Sequence, residues 1–134
     1  MAAGHDRAVS DDTIRRVAGL ISLGRVGIGL VSVLTPGLAR KLLGVKDDGP
    51  GIRMVARLFG VREVAVGAHT LMEVQQQPRQ PRIYAMNAAV DAGDAGVMLI
   101  TLAGGKGMRR AAASSLFIAV PVVATWLWLR RASS

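Results

Sequence analysis

Seven polar side chains stand out within stretches of the chain that are mostly apolar: Arg25, Arg57, Arg62, Glu63, Asn87, Asp91 and Asp94. A charge at the centre of a bilayer costs about 2.5–3.5 kcal/mol on insertion scales, so such residues pair with one another or line a polar path. Three arginines stand against three carboxylates, which makes the set neutral as a whole. Arginine suits this role because its planar fork binds a carboxylate through two parallel bonds and stays protonated. Three chemistries are open. The cluster fixes helix register, as buried polar pairs can. Alternatively, Asp91, Asp94, Glu63 and His69 form a proton or ion path. Or Arg57 and Arg62 hold a phosphate or carboxylate from a lipid or substrate. His69 has no second ligand at metal spacing, and Asp91 with Asp94 lacks the further carboxylates a magnesium site needs, so no metal and no cofactor are expected. The chain contains no His-Glu-x-x-His, Gly-x-Ser-x-Gly, phosphate-loop or dinucleotide motif, so no catalytic residue is assigned and the protein is not expected to be an enzyme.

The elements that must position these residues are four apolar blocks, at about residues 17–34, 52–74, 83–103 and 111–129. Each approaches the roughly 20 residues that a helix needs to cross a bilayer. The expected fold is all-α, a bundle of four transmembrane helices at about residues 14–34, 52–74, 83–103 and 111–130, with a short interfacial helix in the first loop. That short helix is read from Leu38-Ala39-Arg40-Lys41-Leu42-Leu43, which sets cations and leucines on different sides. A polar tail at 1–13 precedes a single membrane domain at 14–131, and 132–134 form a second tail. Block one is too long and too late for a cleavable signal and reads as a retained helix. Two prolines in the 75–82 stretch and the glycines of 103–107 break the chain between later blocks.

Helical periodicity then sorts the polar residues by face. Asn87, Asp91, Asp94, Met98 and Thr101 fall within about 80° of one another, forming one stripe. Beside it run Ala85, Ala89, Gly93 and Ala88, Ala92, Gly96, small-residue rows that let helices approach closely in lipid. Arg25, Gly29 and Ser32 share a face of block one. Block two has several polar faces: Arg53 with Arg57, then Arg62 with His69 and Glu73, then Glu63 with Thr70.

Composition agrees with a membrane protein. The 134 residues are 51% hydrophobic and only 19% charged, without cysteine, and the mean hydropathy is +0.36. Soluble domains carry about 25% charge. The net charge of +8 comes from cations spread between apolar blocks with few aromatics among them, a pattern for anionic headgroups and not for nucleic acid. A soluble four-helix protein fits poorly with block four, which has 19 positions without a charge. Tyr84, Trp126 and Trp128 are expected in an interfacial belt on one side. Basic residues tie at seven on each side, with a lean toward cytoplasmic termini.

The stretch Ala56-Arg57-Leu58-Phe59-Gly60-Val61-Arg62-Glu63, followed by Gly67, resembles small four-helix bacterial membrane proteins of uncharacterised function, DoxX-like in overall plan. Arg25 with Gly29, Pro36, Leu43-Gly44 and Asp91 belong to the same pattern, which covers about residues 16–96. The resemblance implies an architecture and carries over no catalytic residue. The expected function is a non-enzymatic accessory or scaffolding subunit of a larger complex in the bacterial inner membrane. Its partners would be membrane lipid and either other membrane subunits or further copies of itself. The alternative is a small homo-oligomeric transporter or channel using the intramembrane Asp, Glu and Arg residues.

Overall fold

Serine and proline mark where the helices begin. The computed structural model describes residues 9–104 and 107–134 and contains, among them, five α-helices and no strand. These are α1 (Asp11–Leu34), α2 (Pro36–Leu42), α3 (Pro50–Gln76), α4 (Pro81–Gly104) and α5 (Arg109–Ala132). Ser10 caps α1, its hydroxyl accepting from the Thr13 amide at 3.2 Å, and Asp11 and Asp12 occupy the positive end of the helix dipole. Pro36, Pro50 and Pro81 each open a helix, where the missing amide hydrogen costs nothing. Gly44, at φ 74°, takes the left-handed conformation just past α2 and frees the chain to turn.

The four long helices match the expected blocks with ends displaced by a few residues, and the short helix of the first loop is a seven-residue segment. Residues 11–13, expected in the polar tail, belong to α1, because the serine cap and the two aspartates start the helix earlier than the apolar block does. Ala132, placed in the second tail, closes α5. Residues 1–8 of the first tail and Gly105 and Lys106 of the glycine-rich break lie outside the described residues.

Packing divides the bundle into two pairs, α1 against α3 and α4 against α5, with α2 resting on the first pair. The α1–α3 pair is antiparallel and unusually close. A Cβ added at Gly60 would stand 2.5 Å from the Gly29 carbonyl oxygen, and one at Gly67 would stand 2.9 Å from that of Ser22. The buried positions of α3, Gly60, Glu63, Gly67, Thr70 and Val74, recur at alternating intervals of three and four, so one narrow seam faces α1. The close approach expected of the α4 small-residue rows is not found: a Cβ at Gly93 or Gly96 would meet nothing within 4 Å. Of those rows Ala89, Ala92 and Gly93 are exposed, whereas Ala88 is buried in the apolar core.

The two pairs are joined at one end by an apolar cluster of Ile14, Ala18, Val74, Tyr84, Ala88, Trp126 and Leu129. Arg79, in the loop before α4, ties the same end: it donates to Asp11 at 2.8 Å, to the Ala132 carbonyl at 2.7 Å and to the Val9 carbonyl at 3.0 Å. Tyr84 and Trp126 do not sit in an interfacial belt. Both are fully buried and stacked, with ring centroids 6.0 Å apart, because each polar tip has an internal acceptor. Trp128 alone of the three is exposed.

Two helices, α1 and α5, are long and apolar enough to cross a bilayer. α3 and α4 fall short of that measure, because Arg53, Arg57, Arg62 and Glu63 interrupt the one and Asn87, Asp91 and Asp94 the other.

Candidate functional site

Between the two helix pairs lies a hydrogen-bonded network with Arg25 of α1 at its centre. Each nitrogen of its guanidinium has a separate acceptor. Nε donates to Glu63 Oε2 of α3 at 2.8 Å, Nη1 to Asn87 Oδ1 of α4 at 2.6 Å, and Nη2 to Asp91 Oδ1 of α4. The Arg25 and Glu63 side chains are 7% exposed and that of Asp91 11%, so the arrangement is almost closed to its surroundings. Gly29, Gly60 and Gly67 hold α1 and α3 close together on either side of Arg25 and Glu63. The glycines therefore set the geometry of the ion pair.

A second arginine extends the network outward. Arg62 donates to Glu63 Oε1 at 2.9 Å from Nη2 and 3.3 Å from Nε, and binds Asp94 with both terminal nitrogens, Nη1 to Oδ1 at 2.9 Å and Nη2 to Oδ2. This pair is shallower, with side chains 39% and 35% exposed, and the Phe59 ring lies 5.2 Å from the Arg62 guanidinium carbon in a cation–π contact. All six oxygens of Glu63, Asp91 and Asp94 thus accept a hydrogen bond. Such saturation is what a buried charge cluster requires to be stable.

Of the seven residues expected together, six are. Arg57 is not: it is exposed on the outer face of α3, with no hydrogen bond or ion pair among the described residues. Arg57 and Arg62 are five residues apart, and that spacing points them to different faces of one helix. The expected neutrality of the cluster is corrected accordingly. Two guanidiniums and three carboxylates remain, a formal charge of −1. His69, weighed as a member of a proton path, is also exposed and outside the network.

Two members escape the sequence reading. Trp126 of α5 donates its indole N–H to Asp91 Oδ2 at 2.8 Å, and so brings the fourth long helix into the network. Thr70 of α3 accepts from Asn87 Nδ2 at 2.9 Å, which orients the amide so that its oxygen faces Arg25. Thr70 shares a helix face with Glu63, seven residues earlier, and that spacing was its only signal. Trp126→Phe keeps most of the stacking on Tyr84 but leaves Asp91 Oδ2 without its donor. The expected cost is about 1–3 kcal/mol, read as a lowered thermal unfolding midpoint of the purified protein.

Comparison with protein-family models, curated proteins and solved structures finds no match. The chemistry of the network is that of a clamp: it joins α1, α3, α4 and α5 through charged groups that all have partners.

Proposed function

We propose that this chain is an integral protein of the bacterial inner membrane, DoxX-like in plan, with four spanning helices, acting as a non-enzymatic accessory or scaffolding subunit of a larger assembly. The observation that carries the membrane part is the direction in which the chain sorts its residues. Arg25, Glu63, Asn87 and Asp91 are inside, while twenty-three large apolar side chains among the described residues are exposed, among them Leu20, Ile100 and Phe117 at 71%, 75% and 84%. Water-soluble monomers rarely expose contiguous apolar patches above a few hundred Å². In a soluble protein the most apolar helices would be the core. Here only 17% of the most apolar window of α5 is buried, and 33% of that of α1.

The same sorting supports spans for α3 and α4. An average over a helix counts inward and outward residues alike, yet lipid meets only the outward ones. In α4, Asn87 and Asp91 are buried, whereas Val97, Leu99 and Ile100 are exposed. In α3, Glu63 is buried, and Met54, Val55, Leu58 and Val61 are exposed, with Arg53, Arg57 and His69 exposed beside them.

The accessory role is supported by the saturation of the network and by the exposed small residues Ala89, Ala92 and Gly93 of α4, where another helix has room to approach. Extraction of the native protein in mild detergent, followed by sizing and mass analysis, tests it. A particle with stoichiometric foreign subunits is the expected result, and a stable monomer counts against it. One observation favours the transporter alternative: the Arg62–Asp94 pair reaches the outside of the bundle while Asp91 does not. On that reading Asp91→Asn and Asp94→Asn abolish flux in a purified homo-oligomer while leaving its amount unchanged.

A further inference from the structure

Arg57 lines a shallow groove of about 280 Å³ on the outer surface of α3, together with Pro50, Arg53, Met54, Leu58 and Val61. We propose that this groove is a binding site for the phosphate headgroup of an anionic phospholipid, held by Arg57 and Arg53, with the acyl chains lying along Met54, Leu58 and Val61. The proposal rests on the membrane reading of the preceding section.

Position and direction carry it. Arg57 lies seven residues inside α3, about 10 Å along the axis from Pro50 at 1.5 Å per residue. Its neighbours Met54, Leu58 and Val61 are exposed apolar residues, so its charge has lipid around it. Arg57 and Arg53 line the same groove, and a long arginine stem lets a guanidinium reach toward the start of the helix. That end is the interface, where the short cationic helix α2 rests against α1 and α3.

Charge selects the ligand. The segment from α2 into α3 carries five cations, Arg40, Lys41, Lys46, Arg53 and Arg57, against two carboxylates, Asp47 and Asp48. Asp48 is already engaged by Arg53 at 3.1 Å and by Arg40 at 3.4 Å, and the hydrogen bond from Arg53 holds its carboxyl below the usual range. Arg57 has no such partner among the described residues, and it stands one turn from Arg53 on the same face. A phosphate with a net negative charge accepts chiefly from Arg57, and from the Arg53 Nη1 that Asp48 leaves free, in the manner that makes arginine a phosphate ligand. Zwitterionic headgroups carry the phosphate but cancel its charge with their own ammonium, and so gain less from this excess.

The test uses the full chain purified in mild detergent, with phosphatidylglycerol, phosphatidylcholine and inorganic phosphate as probes. Phosphatidylglycerol is expected to raise the unfolding midpoint and to remain bound in native mass spectrometry, more so than phosphatidylcholine. Arg57→Gln is expected to weaken that binding about tenfold or more, the loss of one charge-assisted pair. Its midpoint without lipid should match the wild type, because Arg57 touches none of the network. Arg131→Gln, at the opposite end of the bundle, should bind as the wild type does. Equal binding by Arg57→Gln and wild type, or equal effects of the two lipids, would overturn the proposal. Stabilisation by inorganic phosphate as large as that by phosphatidylglycerol would overturn it in favour of a free anion. A protein that stays monodisperse in water without detergent would instead sink the membrane reading on which the site depends.

Discussion

Arg25→Met is expected to lower the stability of the protein by about 3–5 kcal/mol, a large part of what holds a domain of this size together. The figure follows from what the substitution leaves behind. On the membrane reading, a single hydrogen bond between helices averages only about 0.6 kcal/mol, so three lost bonds alone would be tolerable. The greater cost is that Glu63 and Asp91 stay buried with their central cation gone: Asp91 keeps only the indole of Trp126, and Glu63 only the shallower Arg62. Arg25→Lys is expected to rescue little, since one ammonium cannot reach Glu63, Asn87 and Asp91 in the three directions the guanidinium covers. The triple variant Arg25→Met, Glu63→Gln, Asp91→Asn should recover a substantial part of the loss, because removing a whole buried charge set is far cheaper than breaking it. Unfolding midpoints and the monodisperse fraction after purification check these outcomes. If Arg25→Met behaves like Arg57→Gln, the network is not what joins the helix pairs.

Gly60→Val is the second large effect, expected to cost about 3 kcal/mol or more, at the upper end of overpacking. Its Cβ would fall 2.5 Å from the Gly29 carbonyl oxygen, 2.8 Å from Val33 Cγ2 and 2.9 Å from Ser32 Cβ. The first of these is backbone, which cannot rotate away, so α1 and α3 must separate. Arg25 and Glu63 span the same gap and lose their geometry with it. Gly24→Ala is the matched control, since a Cβ there meets nothing within 4 Å and a helix gains from the exchange. It should unfold at or slightly above the wild-type midpoint. A Gly60→Val protein as stable as Gly24→Ala would show that the close approach of α1 and α3 is dispensable.

Both effects depend on pairings between helices, and here the sequence and the tertiary structure part company. Facing along one helix is a local property, decided by 100° per residue. Periodicity therefore places Asn87, Asp91 and Asp94 in one stripe, Arg25 with Gly29 on one face and Glu63 with Thr70 on another, and the structure keeps all three groupings. The four long helices are legible for the same kind of reason, because long apolar runs bounded by proline, serine and glycine leave little choice of conformation.

Selection among equivalent residues is not local. Arg57 and Arg62 have the same chemistry in the same helix, and only the rotation of α3 about its axis, set by Gly60 and Gly67 against α1, turns Arg62 toward Asp94 and Arg57 away. The glycines themselves show the limit most clearly. Gly93 and Gly96 stand in the rows that spacing marks for close packing, yet a Cβ at either meets nothing within 4 Å, whereas Gly29, Gly60 and Gly67 meet another helix. Trp126 is a third instance: an indole near a helix end suits a membrane interface by residue type, and it becomes a ligand of Asp91 because α5 lies beside α4 at the register that stacks it on Tyr84. Which residues are polar, and on which side of their own helix, follows from covalent geometry and order along the chain. Which of them meet depends on distances between helices far apart in sequence, and those are set by the packing of the whole bundle at once.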